Sequence, residues 1–186
     1  MNLKTFIILV IVLLILLCGG LIAYKYLDSD FTQIGRQISS ADGHYTVSVP
    51  LKWEKTVPAS AHVLLSARSM DQDMYLQVSV DADSSSESSL EEHVNEYIKT
   101  IGQKSDDRAH LVTVVSPKSK KINGLHGYYF ELETTCDDME IHIWSFCYPS
   151  SSGFIHLDVT APRNETENDA DIANGIINSL TTENYE

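Results

Sequence analysis

Phe6 to Tyr24 is an unbroken run of 19 residues without a charge, and it is apolar on every side. At about 1.5 Å of rise per residue, a helix of that length reaches roughly 28 Å, the thickness of the hydrocarbon core of a bilayer. Lys4 precedes the run, and Tyr24, Lys25 and Tyr26 follow it as an aromatic and basic rim. A helix lying on a soluble core would show one polar face, and this segment has none. A cleaved signal peptide has a shorter apolar core and a small-x-small site, for which Cys18-Gly19-Gly20 is a weak candidate. A lipoprotein signal places a small residue just before its cysteine, whereas Leu16 and Leu17 precede Cys18. The segment therefore reads as an uncleaved signal anchor, with cleavage or lipidation at Cys18 as the competing alternatives. The short tail before it and the long remainder behind it predict a single-pass protein of the cell membrane, its C-terminal domain outside the cytoplasm.

That remainder holds nearly all of the charge. The chain carries 13 Lys and Arg against 26 Asp and Glu, a formal charge of −13, and of all these residues only Lys4 lies before Lys25. Such a balance repels phosphate backbones and anionic headgroups, which argues against nucleic acid as a partner. Three cysteines in 186 residues do not make a disulfide framework. The organisation expected is an anchor over 1–26, a polar stalk over 27–42, and one soluble domain over 43–186.

Within that domain, Tyr45, Val47 and Val49 alternate onto one face of a strand that Pro50 ends, with Trp53 expected to cap the core. His62 to Ala67 and Met74 to Val80 read as two further strands. Ser89-Leu90-Glu91-Glu92 is the Ser-x-x-Glu box of a helix start. Leu90, Val94, Tyr97, Ile98 and Ile101 then recur at helical spacing until Gly102. Leu111 to Val115 is strand-like, and Asn123-Gly124 is a hairpin signal leading into Tyr128 to Thr135. From Met139 to Tyr148 both alternating faces are largely apolar, so this strand belongs in the middle of a sheet covered on both sides. Phe154 to Thr160 follows a Ser-rich turn, and Ile172, Ile176 and Leu180 mark a closing helix. The fold class predicted is α+β: an antiparallel sheet of five to seven strands between helices.

The order of these elements resembles the PsbP-like family, whose fold is shared with a eukaryotic Ran-binding import factor. The resemblance rests on Tyr-x-Val-x-Val-Pro-x-x-Trp from Tyr45 to Trp53, on the Ser-capped helix, and on Ile122-Asn-Gly-Leu-His-Gly-Tyr-Tyr-Phe130. It continues to Ile176-Ile177-Asn178-Ser179-Leu180 and covers roughly Gly43 to Leu180. It implies an α/β/α sandwich. Membrane-anchored or lipidated bacterial members look like accessory domains. The shared residues are packing and turn residues, and no active site is carried over.

Candidate chemistry is sparse. Asp81, Asp83, Ser85, Ser89 and Glu92 place oxygens at calcium-loop spacing, with Glu87 between them. Ser86 stands where such loops need Gly, and the capping box accounts for Ser89 and Glu92 without a metal. His142 and His156 fall on adjacent predicted strands, facing the same way if Phe146 pairs with His156, and Asp158 would then oppose Trp144. A His pair with a carboxylate can bind zinc or transfer protons, but hydrogen-bonded core histidines account for the same pattern and no third ligand has convincing spacing. Cys136 and Cys147 lie too far apart along one hairpin, roughly 26 Å, to be bridged. Two free thiols are expected, with Cys147 packed as a small apolar residue. No nucleophile elbow, phosphate loop, Cys-x-x-Cys pair or zincin helix occurs. The expectation is a non-catalytic, membrane-anchored accessory or protein-binding domain without a cofactor, facing an envelope protein partner. A small-ligand or calcium sensor is the alternative, and a hydrolase built on His142, His156 and Asp158 is the third reading.

Overall fold

Period-two alternation builds most of this domain. The computed structural model describes residues 34–82, 89–104, 112–136, 139–163 and 167–183. The apolar run 6–24 read as an anchor lies outside them, and no helix among the described residues is long and apolar enough to cross a membrane. In chain order the strands are β1 (Ile34–Ser39), β2 (Tyr45–Pro50), β3 (Trp53–Lys55), β4 (Val63–Ser69) and β5 (Tyr75–Asp81). Helix α1 (Leu90–Lys104) follows, then β6 (Val112–Ile122), β7 (Leu125–Cys136), β8 (Met139–Ser150) and β9 (Gly153–Pro162). Helix α2 (Glu167–Asn178) and the short β10 (Thr181–Thr182) complete the described chain.

The strands form two antiparallel sheets. The larger has the order β3-β4-β5-β9-β8-β7-β6 and the smaller β1-β2-β10. β8 is an inner strand, as its two apolar faces require, and every residue from His142 to Tyr148 is buried. On one face Trp144, Phe146, Ile155, Leu157 and Val159 pack with Ile172, Ala173, Ile176 and Ile177 of α2 and with Val47 and Val49 of β2. On the other, Phe130, Leu132, Ile143, Cys147 and Phe154 pack beneath Leu90, Val94, Tyr97, Ile98 and Ile101 of α1. Each such side chain taken fully out of water contributes about 1.5–3 kcal/mol, so these two layers are the main stabilising term.

Local signals place the helix and hairpin ends. Ser89 N donates to Glu92 Oε2 at 3.0 Å and Glu92 N donates to Ser89 Oγ at 3.2 Å, the reciprocal capping box read from the sequence. Asn123 and Gly124 have φ of +47° and +93°, the left-handed pair that a two-residue hairpin needs to join Ile122 to Leu125. Gly127 is required for space. A Cβ there would run into the Cys147 carbonyl oxygen and the Phe146 ring.

Three expectations change. Residues 34–39, read as stalk, form β1 and pair antiparallel with β2; Ile38 alone of its described side chains reaches the core, too little for a visible period. The basic stretch after Val115 is not a connector but the continuation of β6, an edge strand irregular around Pro117, where a missing N–H costs no ladder bond. The register of β8 and β9 is one residue away from that assumed. Cys147, not Phe146, pairs with His156, and Ser145 pairs with Asp158. A slip of one residue moves a side chain to the other face. His142 and His156 are therefore on opposite faces of the sheet.

Candidate buried His-Cys site and adjoining cleft

The register just described assembles a polar cluster beneath α1. β9 directs His156 and Asp158 to the α1 face, β8 brings Cys147 and Ser145 opposite them, and α1 supplies His93 and Tyr97, four residues apart. His93 Nε2 and His156 Nε2 share a hydrogen bond of 2.7 Å, and Cys147 Sγ lies 3.6 Å from the same His156 nitrogen. All three are buried, with 5%, 2% and 0% exposure for His93, His156 and Cys147. Aromatic rings hold both imidazoles: His93 stacks on Phe154 at 4.1 Å between centroids, and Tyr97 on His156 at 4.0 Å. His156 Nδ1 has no hydrogen-bond partner.

Next to it, Asp158 accepts from Tyr97 OH at 2.9 Å and from Ser145 Oγ through a very short contact. Burial raises the Asp158 carboxyl above its usual range, against the pull of the Ser145 and Tyr97 hydroxyls. Burial likewise pushes the Cys147 thiol far up, reinforced by Asp158 and Asp81, and brings His156 down to about 4, with His93 adding to the shift. A protonated, inaccessible thiol beside a neutral imidazole is not a nucleophile–base pair. What the cluster offers is a set of neutral ligand atoms, all buried.

Tyr97 and Asp158 also reach a cleft of about 420 Å³ beside α1, lined by Val57, Ser66, Tyr75, Gln77, Ile101 and Thr160 among others. Its apolar rim is open to solvent, with Val57 90% and Tyr75 54% exposed.

The other candidate residues do not join this cluster. His142, on the α2 face, stacks on Trp144 at 4.2 Å, and its Nε2 lies 3.2 Å from Glu131 Oε2. Of the calcium-spaced residues, Asp83 and Ser85 lie outside the described residues; Ser89 and Glu92 form the capping box, and Asp81 ends β5 opposite Phe154. Cys147 is a free thiol, and Cys136 pairs across its hairpin with Met139 while Cys147 pairs with Tyr128. The sequence reading missed His93. It follows two glutamates in the first turn of an amphipathic helix, and only the approach of β9 buries it.

No protein-family model matches the sequence, and no curated protein matches it. Solved structures do match its fold. The cyanobacterial PsbP protein CyanoP from Synechocystis sp. PCC 6803 superposes with a TM-score of 0.60 at 14% identity, over 80% of this chain and 92% of that one. A protein of unknown function from Pseudomonas aeruginosa, PA94, gives 0.53 at 9% identity, over 81% and 98%. A Bacteroides thetaiotaomicron protein gives 0.50 at 12% identity over 82% of this chain, which spans only 50% of that longer one. The domain thus has the PsbP-like fold that its motifs resemble, and at these identities the likeness concerns the fold.

Proposed function

We propose that the protein is a membrane-tethered accessory domain, held outside the cytoplasm by the apolar run Phe6 to Tyr24, which binds an envelope protein partner and performs no chemistry of its own. The observation that carries the binding role is the cleft beside α1. Its exposed Val57 and Tyr75 rim offers apolar contact, and its Tyr97 and Asp158 floor offers polar contact, the composition of a recognition site. The buried Cys147 and His156 support the non-catalytic reading, since neither is charged or accessible at neutral pH. The tether rests on length, hydropathy and flanking residues of the apolar run.

A photoreactive residue placed at Tyr75 in the full-length chain tests this in native membranes. It should give one defined protein adduct that the same probe at Glu183, remote in sequence from the cleft residues, does not give. Identical adducts from both positions, or none from Tyr75, would rule out cleft-mediated binding. In the same preparation the intact chain should resist alkaline extraction, and its recovery in the soluble fraction would remove the tether.

A further inference from the structure

Outside the cleft, one constellation is unexplained by a binding role: His93, Cys147 and His156. Their ligand atoms all lie within 4.8 Å of one another, and among the described residues this is the one group of three or more His, Cys, Asp or Glu so placed. Each residue comes from a different element (α1, β8 and β9), so the grouping is a product of the tertiary fold rather than of one helix or turn. Hydrogen bonding alone serves these groups poorly. The two imidazoles share one bond and the thiol makes only a long contact.

We infer that His93 Nε2, Cys147 Sγ and His156 Nε2 form a three-coordinate site for a soft monovalent d¹⁰ metal ion, Cu(I). With metal–nitrogen bonds of about 2.0 Å and metal–sulfur bonds of about 2.3 Å, trigonal ligands stand roughly 3.5 Å apart for two nitrogens and roughly 3.7 Å for nitrogen and sulfur. The Cys147–His156 separation of 3.6 Å is already close to that spacing. The His93–His156 separation of 2.7 Å must open by roughly 0.8 Å, and His93, on the first turn of α1, must at the same time take up the nitrogen–sulfur spacing to Cys147, from which it is no more than 4.8 Å away. Binding breaks the Cys147 S–H bond, releases its proton to solvent, and forms the metal–thiolate bond. Charge and ligand type together favour one ion. One thiolate, two neutral imidazoles and a monovalent cation sum to zero within the ligand set, whereas a divalent ion would need a neighbouring carboxylate, Asp158 or Asp81, ionised as its counter-charge. Thiolate and imidazole together suit Cu(I) by softness.

The test uses the full-length chain in detergent with Cys18 and Cys136 replaced by Ser, so that Cys147 is the remaining thiol. Titrated anaerobically against a chromophoric Cu(I) chelator, it should retain one equivalent, with a near-ultraviolet sulfur-to-copper absorption. X-ray absorption should show one sulfur and two nitrogen neighbours. Cys147→Ser and His156→Gln, checked for folding by circular dichroism, should each weaken retention at least about 100-fold. Failure to retain copper, a shell without sulfur, or undiminished retention in folded Cys147→Ser overturns the site. Retention of Zn²⁺ in preference to Cu(I) when both are supplied overturns the choice of ion. The absorption spectrum of the unsubstituted site keeps the proposal falsifiable should either variant fail to fold.

Discussion

The Asn123 side-chain amide donates to the Leu180 carbonyl at 2.8 Å, joining two residues 57 positions apart. The same amide reaches the Asn178 carbonyl at 3.2 Å. A hairpin turn residue thus satisfies the Asn178 carbonyl, which the end of α2 leaves without an intrahelical partner, and the Leu180 carbonyl just beyond it. Asn123 also holds the positive φ its turn needs. One residue serves the β6–β7 register and the seat of the closing helix together.

Asn123→Ala should therefore destabilise the domain by about 2 kcal/mol, combining lost hydrogen bonds with a strained turn. Asn123→Gly, which keeps the turn geometry but not the amide, should cost about half as much. Urea unfolding of the three proteins would show the ordering, and equal losses would refute the double role.

Gly127→Ala should be worse than either. The added methyl meets the Cys147 carbonyl oxygen, which is backbone and can't rotate away, and the Phe146 ring. A loss of about 3 kcal/mol is expected, with the folded fraction falling in thermal melts. A melt within a few degrees of the parent would mean that β7 and β8 separate more easily than this packing implies.

Tyr97→Phe removes the 2.9 Å donor to Asp158 and leaves that buried carboxyl with Ser145. The expected cost is about 1–2 kcal/mol. Tyr97→Phe combined with Asp158→Asn should cost less than the sum of the two single changes, which a double-mutant cycle would measure.

Acid should weaken the metal-free domain through His156. Burial, with His93 facing it, lowers its folded pKa to about 4, whereas the unfolded ring titrates near 6.5. Between those values the unfolded chain binds the extra proton, so stability is complete above about 6.5 and falls as pH drops toward 4. From pH 7 to pH 5 this amounts to about 2 kcal/mol. His93, lowered by burial, adds in the same direction, Asp81 opposes both, and Asp158, raised by burial, gives the opposite slope just above the ordinary carboxylate range. Urea midpoints at the two pH values would show the fall, and His156→Gln should flatten it.

Much of this architecture is visible in the sequence where one element carries its own signal. The Ser89–Glu92 box, the Asn123-Gly124 turn and the two apolar faces of β8 are local, and each is found where its residues point. The remainder depends on partners. Among its described side chains β1 carries one in the core, and it exists because β2 offers it a ladder. The β8–β9 register is set by a turn that pairs Ser150 with Gly153, and Gly153 sits at φ +122° with no room for a side chain against the Asp81 carbonyl. That single step separated His142 from His156 and brought Cys147 to His156 instead. Nothing within Glu91-Glu92-His93 indicates that its histidine meets them.

β2 has β1 along one edge and β10 along the other, so the first and last strands of the described chain are zipped to the same six-residue ribbon. Mechanical tension entering at Ile34 would therefore load the β1–β2 ladder first, with the seven-stranded sheet outside the direct line of force. Only once that ladder is shed does the load reach Val47 and Val49, and through them the core that β2 shares with β8, β9 and α2.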